Sequence, residues 1–169
     1  MSTQPAPDSY LHTENRRKMI NLAEQNGIKS VIDTTRDIIC DHESYNKQPQ
    51  LLQQLYDMAL SIGLDGYINQ QSAIISRADS RPDLDTIKCP VLVVYGENDA
   101  LIPPTHSIDL VRQLRELYDP DLTQIRTVGS SYSIANRRIQ LVMIPQVGHI
   151  VTLEAPELTT EILIDFIDH

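Results

Sequence analysis

Val91-Leu92-Val93-Val94-Tyr95-Gly96-Glu97-Asn98-Asp99 is the stretch from which the rest of this chain is read. Its apolar run, entered through Cys89-Pro90, has the pattern of a strand buried on both faces, and such strands favour parallel sheets covered by helices. The run stops at Gly96, and an acid, Asp99, follows within a short turn. A second strand-like run, Ile139 to Ile144, leads through Pro145-Gln146-Val147 to Gly148-His149. An acid and a histidine, each just beyond the C-terminal end of an apolar strand, are two members of a three-part charge relay. The third is missing: no Gly-x-Ser-x-Gly nucleophile elbow occurs in the 169 residues.

Moving outward, Pro103-Pro104 opens a predicted helix with Ile108, Leu110, Val111, Leu114 and Leu117 as its apolar residues. A last helix is expected near Pro156, with Leu158, Ile162, Leu163 and Phe166 on its inner face. Strand, helix, strand, helix is an α/β order. Between the second and third of these elements, Tyr118 to Arg138 is polar and irregular. It is long for a connection that usually takes about 2–6 residues, and reads as a lid, an insertion or a disordered loop. Two strands make a poor sheet, with apolar edges left open. The pattern therefore predicts a piece of a larger α/β domain, or a sheet completed by another chain.

Before residue 87 the period is helical. Thr13 is the expected cap of a helix running to Gln25, with Met19, Ile20, Leu22 and Ala23 as its stripe and Asn26-Gly27 as its stop. A shorter element is predicted over Ser30 to Ile38, followed by polar residues 41–48. Pro49 opens a stronger helix through Leu60, punctuated by Gly63 and Gly66, and another spans Tyr67 to Arg77. The organisation is thus a flexible N-terminus over 1–12, a helical segment over 13–80, and an α/β segment over 81–169 with an irregular insertion at 118–138.

Composition narrows the functional classes. The net charge of −9, from 23 acids against 14 bases, argues against a nucleic-acid surface. Cys40 and Cys89 are far apart and read as buried apolar fillers, suggesting neither a disulfide framework nor a zinc site. No stretch approaches the roughly 20 apolar residues of a membrane span, and residues 1–9 lack the apolar core of a signal peptide, so a soluble, cytoplasmic protein is expected. His12, His42 and His106 have no metal-ligand spacing, and neither metal nor cofactor is expected.

The segment Leu84 to Asp99 with Ile102-Pro103 resembles the acid-bearing segment of α/β-hydrolase fold proteins. The resemblance continues at Ile144-Pro145-Gln146-Val147-Gly148-His149 and through Leu153-Glu154-Ala155-Pro156-Glu157 to Phe166. It implies a partial α/β-hydrolase fold: a few-stranded parallel sheet with flanking helices, plus a helical cap-like segment returning to the core at Arg77-Ala78-Asp79. It places Asp99 on the catalytic acid and His149 on the catalytic histidine. By the same analogy Tyr67, Ile68, Ile74 and Ile75 line an apolar pocket for a small ester-like substrate. It also implies that the strands, oxyanion loop and elbow normally preceding the cap are absent.

Ser130, Ser131 and Ser133 lie in the polar insertion and lack the strained strand-to-helix turn of a nucleophile, so they read as a Ser-rich surface loop. Glu154 reads as a structural acid, and Met58, Leu60 and Ile62 as ordinary core. Three functions fit. One is the acid, base and cap of a serine hydrolase whose serine lies on a second chain, inactive by itself. Another is a non-catalytic truncated homologue acting as an interaction module, self-associating or pairing through its open sheet edge. The third is an α/β domain holding a small apolar ligand.

Overall fold

The computed structural model describes residues 4–118 and 138–168, together with the backbone of 125–128 and 131–135. Four helices come first: α1 (Tyr10–Asn26), α2 (Ile28–Ile39), α3 (His42–Lys47) and α4 (Leu51–Ile75). Ser9, not Thr13, caps α1, its side chain accepting from the His12 N–H. From sequence, residues 1–12 are expected to form a flexible N-terminus. Residues 5–8 are instead tied down: Pro5 O accepts from Ser80 N, Ala6 O accepts from the Arg77 guanidinium, and Asp8 pairs with Arg16.

Gly27 stops α1 with φ +82°, a conformation that costs glycine little. The helix predicted through Leu60 and the one from Tyr67 form one element, α4, broken at Gly63, where φ 70° and ψ 176° interrupt the helical backbone. That region is open essentially to glycine alone. Gly66, in contrast, remains inside the helix. Ile32, Cys40, Leu51, Leu55 and Ala59 form the core of this helical layer. Met58, Leu60 and Ile62, expected in the core, are instead exposed.

After a 3-10 turn at Arg81–Thr86 come β1 (Val91–Gly96), α5 (Pro104–Tyr118), β2 (Ile125–Val128), β3 (Ser131–Ala135), β4 (Ile139–Ile144), α6 (Val151–Glu154) and α7 (Pro156–Asp168). β1 and β4 are parallel, in register from Val91↔Ile139 to Gly96↔Ile144. The stretch read as an irregular insertion contains β2 and β3, an antiparallel pair that joins β4 and extends the sheet to the order β1-β4-β3-β2. Their segments are short and mix polar with apolar residues, so pairing against the edge of β4, rather than a local apolar run, makes them strands. Among the described residues, β1 pairs with no strand on its other edge.

The pleat sends alternate residues of β1 and β4 to opposite faces. Val93, Ile139 and Leu141 pack with Leu84 and with Leu110, Val111 and Leu114 of α5. Val94, Val142 and Ile144 pack with Val151 and with Ile162 of α7. Both faces are covered, as the continuous apolar runs require. Leu163, expected on the inner face of α7, is exposed, as are Ile108 and Leu117 of the α5 stripe, and so is Cys89.

Candidate active site

The turn after β1 and the loop after β4 bring Asp99 and His149 together: His149 Nδ1 lies 2.9 Å from Asp99 Oδ2. The other carboxylate oxygen, Oδ1, accepts from the backbone N–H groups of Leu101 (3.1 Å) and Ile102 (2.8 Å). The Asp99 side chain is fully buried, while that of His149 is 24% exposed. An ionised carboxylate only accepts, so opposite one the imidazole donates from Nδ1 and leaves Nε2 to face away from the acid. A sealed, oriented carboxylate behind a partly exposed imidazole is the arrangement that lets Nε2 act as a general base.

The two loops lock into one another through backbone. Glu97 N donates to Ile144 O, Asn98 N to Val147 O, and Gln146 N to the Glu97 carboxylate. Gly96 is needed at this crossing because a Cβ there would sit 2.0 Å from Gly148 O and 2.3 Å from Val147 O. Gly148 is needed for a different neighbour: its Cβ would lie 2.6 Å from the backbone nitrogen of Asp41. Residues 39–44, from the end of α2 into the first turn of α3, press directly on the histidine loop. Ile39 O accepts from His149 N at 2.8 Å, and Asp41 Oδ2 accepts from Asn98 Nδ2 at 2.8 Å. The sequence contains no local signal for these contacts, since their partners are more than fifty positions away.

Glu154, read as structural, is buried and lies under the histidine loop. Its Oε2 accepts from Gly148 N (2.9 Å), Asp41 N (2.8 Å) and Ser44 Oγ (2.7 Å), and its Oε1 from Ile150 N (3.1 Å). The negative charge of Glu154 also bears on Cys40. Burial first, and that charge second, push the Cys40 thiol from an ordinary 9.0 up to about 12.

Two cavities adjoin these loops. An open depression of about 450 Å³ runs past Ser44, Lys47, Glu97, Gln146 and Glu154, and is lined by neither Asp99 nor His149. A smaller one of about 150 Å³ is apolar and lies in the helical layer against Ile150, the neighbour of His149; Val31, Leu55, Met58, Ile62 and Tyr67 are among its walls. The smaller one is the better placed for an apolar group beside the histidine. Of the pocket residues expected from sequence, Tyr67 lines it and Ile68, Ile74 and Ile75 do not. Gln71, in their stretch of α4, accepts from Arg16, so this end of α4 runs beside α1. Met58 and Ile62 line the cavity, although sequence placed them in ordinary core.

Of the serines considered, Ser131 and Ser133 fall on β3, and Ser130 lies outside the described residues. His106 sits near the start of α5, its N–H donating to Pro103 O. Among the described residues, no group of three or more His, Cys, Asp or Glu side chains is arranged to hold a metal ion. None of the described helices is long and apolar enough to cross a membrane.

No protein-family model matches the chain, and no curated protein does. Solved structures do match. A thermophilic esterase from Thermogutta terrifontis superposes with a TM-score of 0.79 at 23% identity, over 98% of this chain and 53% of that one. The enol-lactonase from Burkholderia xenovorans gives 0.74 at 21%, over 99% and 54%. An α/β-hydrolase enzyme from a Medee basin deep-sea metagenome library gives 0.70 at 20%, over 97% and 53%. The chain therefore has a partial α/β-hydrolase fold, spanning about half the length of the solved structures it matches.

Proposed function

We propose that this chain supplies the acid, the base and the helical cover of a serine hydrolase acting on ester-like carbonyl groups. The observation that carries the proposal is the Asp99–His149 pair, with the carboxylate sealed and its second oxygen held by two backbone N–H groups. The nucleophile is a serine outside these 169 residues, on a second chain. His149 Nε2 takes the proton from that serine as its oxygen attacks the carbonyl carbon. The imidazolium then returns the proton to the departing alkoxide as the carbon–oxygen bond breaks, leaving an acyl-enzyme. Water, deprotonated by the same nitrogen, hydrolyses that ester and restores the serine. Asp99 holds the tautomer throughout. Residues 13–80 act as the cap, and the apolar cavity beside Ile150 receives the apolar part of the substrate.

Fluorophosphonate labelling with intact-mass readout tests this, first on the purified chain and then in lysate of its source. The pure chain is expected to stay unlabelled, while a separate, co-purifying chain takes the label only when this one is present. Ester hydrolysis by the pair should then fall on the order of 10⁴-fold in Asp99→Asn, which keeps the shape but loses the tautomer control. Stoichiometric labelling of the pure chain would show that the nucleophile is internal. A folded chain with no labelled partner would sink the split-enzyme reading.

The edge of β1, which pairs with no strand among the described residues, favours a second reading, a non-catalytic homologue that works as an interaction module through strand addition. A homodimer without serine reactivity in either setting is the outcome that selects it.

A further inference from the structure

We propose that Glu154 is a positioning residue for His149, clamping the histidine loop on both sides of the ring and fixing it to the α2–α3 segment. This rests on the relay reading of Asp99 and His149. Four groups point at the Glu154 carboxylate, and all four are donors: Gly148 N, Ile150 N, Asp41 N and Ser44 Oγ. Gly148 and Ile150 are the two residues flanking His149, so a backbone N–H on each side of the histidine is anchored to one side chain, while the His149 N–H itself donates to Ile39 O. The other two donors belong to the helical layer, so the same carboxylate sets where that layer meets the loop. Asp41 extends the brace to the acid side through Asn98, the neighbour of Asp99. Gly148 lets the loop come this close, since any Cβ there would strike the backbone of Cys40 and Asp41.

An acid is required at 154 because every partner donates. An amide presents an NH₂ to at least one N–H or O–H, placing donor against donor in a buried site. Glu154→Gln therefore keeps the volume and breaks the clamp. The Glu154 hydrogen bonds run to three backbone N–H groups and to Ser44, so its action on His149 runs through the backbone.

The test reads His149 directly, by ¹⁵N imidazole NMR of the full chain, and needs no hydrolytic activity. Wild type is expected to show a protonated Nδ1 with a protected, downfield N–H signal, which Asp99→Asn abolishes. Glu154→Gln is expected to lose that protected signal, with exchange of the Gly148 and Ile150 amides faster by roughly tenfold or more. Leu114→Ala, a core change away from the loop, should lower stability and leave the His149 signature in place. If wild type shows no such signature, the relay reading fails. If wild type shows it and a folded Glu154→Gln keeps it, only the positioning role is overturned. Should Glu154→Gln not fold, Ser44→Ala removes one donor and keeps the carboxylate. It is then expected to displace the His149 and Gly148 resonances, and unchanged resonances would overturn the proposal.

Discussion

In the sheet half, Val94, Val142 and Ile144 are at most 2% exposed, while in the helical half Met58, Leu60 and Ile62 are each more than 40% exposed on the same helix as the sealed Leu51 and Leu55. β1 and β4 are covered on both faces and end in interlocked loops. The helical layer has one sealed cluster, a helix broken at Gly63, and a small apolar cavity facing the histidine loop. The two halves meet along a narrow seam, where Ile150 and Leu153 reach into the helical cluster and residues 39–48 hydrogen-bond to the histidine loop and Glu154. Rigid support for an acid–histidine pair and an accessible apolar surface make opposite demands on packing. This molecule meets them in separate layers.

Substitutions at glycine test the interlocked loops of the sheet half against the break in the helical half most severely. Gly96→Ala places a Cβ against two carbonyl oxygens of the histidine loop, and should cost more than about 3 kcal/mol or prevent folding. Gly63→Ala meets no atom within 4 Å and is opposed only by its backbone conformation, at a cost of about 2 kcal/mol. Urea denaturation of both variants gives the ranking, and equal losses would mean that the two loops are not locked as described.

Leu114→Ala in the sheet half and Leu51→Ala in the helical half each empty a sealed site and should cost about 3 kcal/mol. If the seam makes one cooperative unit, calorimetry will show a single transition lowered by either change. Two transitions, each moved by one variant, would mean that the layers unfold independently.

The last expected effect is confined to alkaline pH and lies at Cys40. Its thiol is held neutral in the folded protein up to about 12, whereas in the unfolded chain it ionises near 9.0. A group whose folded value is raised contributes stability that is complete below the unfolded value and lost as pH climbs through the folded one. Wild type should therefore lose stability between pH 9 and 12 more steeply than Cys40→Ala. Parallel curves for the two proteins would remove Cys40 from the account. At neutral pH, exposed Cys89 should be alkylated well before Cys40.

The strands β1 and β4 were legible because runs buried on both faces are almost wholly apolar, Gln140 being the polar exception in β4, and each leads into a motif that sequence marks by glycine. Most helices were legible from their stripes, and Gly27 and Gly63 marked real breaks. β2 and β3 were not, because their strand character comes from a neighbouring edge. Which apolar residues point inward also went partly astray. Ile108 and Leu117 fit the stripe of α5, yet the structure places them on its outer side. Helical spacing defines a face and leaves its width to the partner that covers it.

By itself, then, the sequence determined the chemistry at the ends of the two strands: an acid and a histidine after glycine-marked turns, with no serine elbow among 169 residues. Those are local properties of short segments, set by residue type and burial pattern. Only the tertiary structure decided that Asp99 and His149 meet at 2.9 Å, and that Glu154 joins Asp41 and Ser44 to the histidine loop across more than a hundred positions. It also decided which side chains open onto a cavity beside the histidine. Hydrogen bonds between distant segments depend on how the layers stack, and no residue's own neighbours in sequence carry that information.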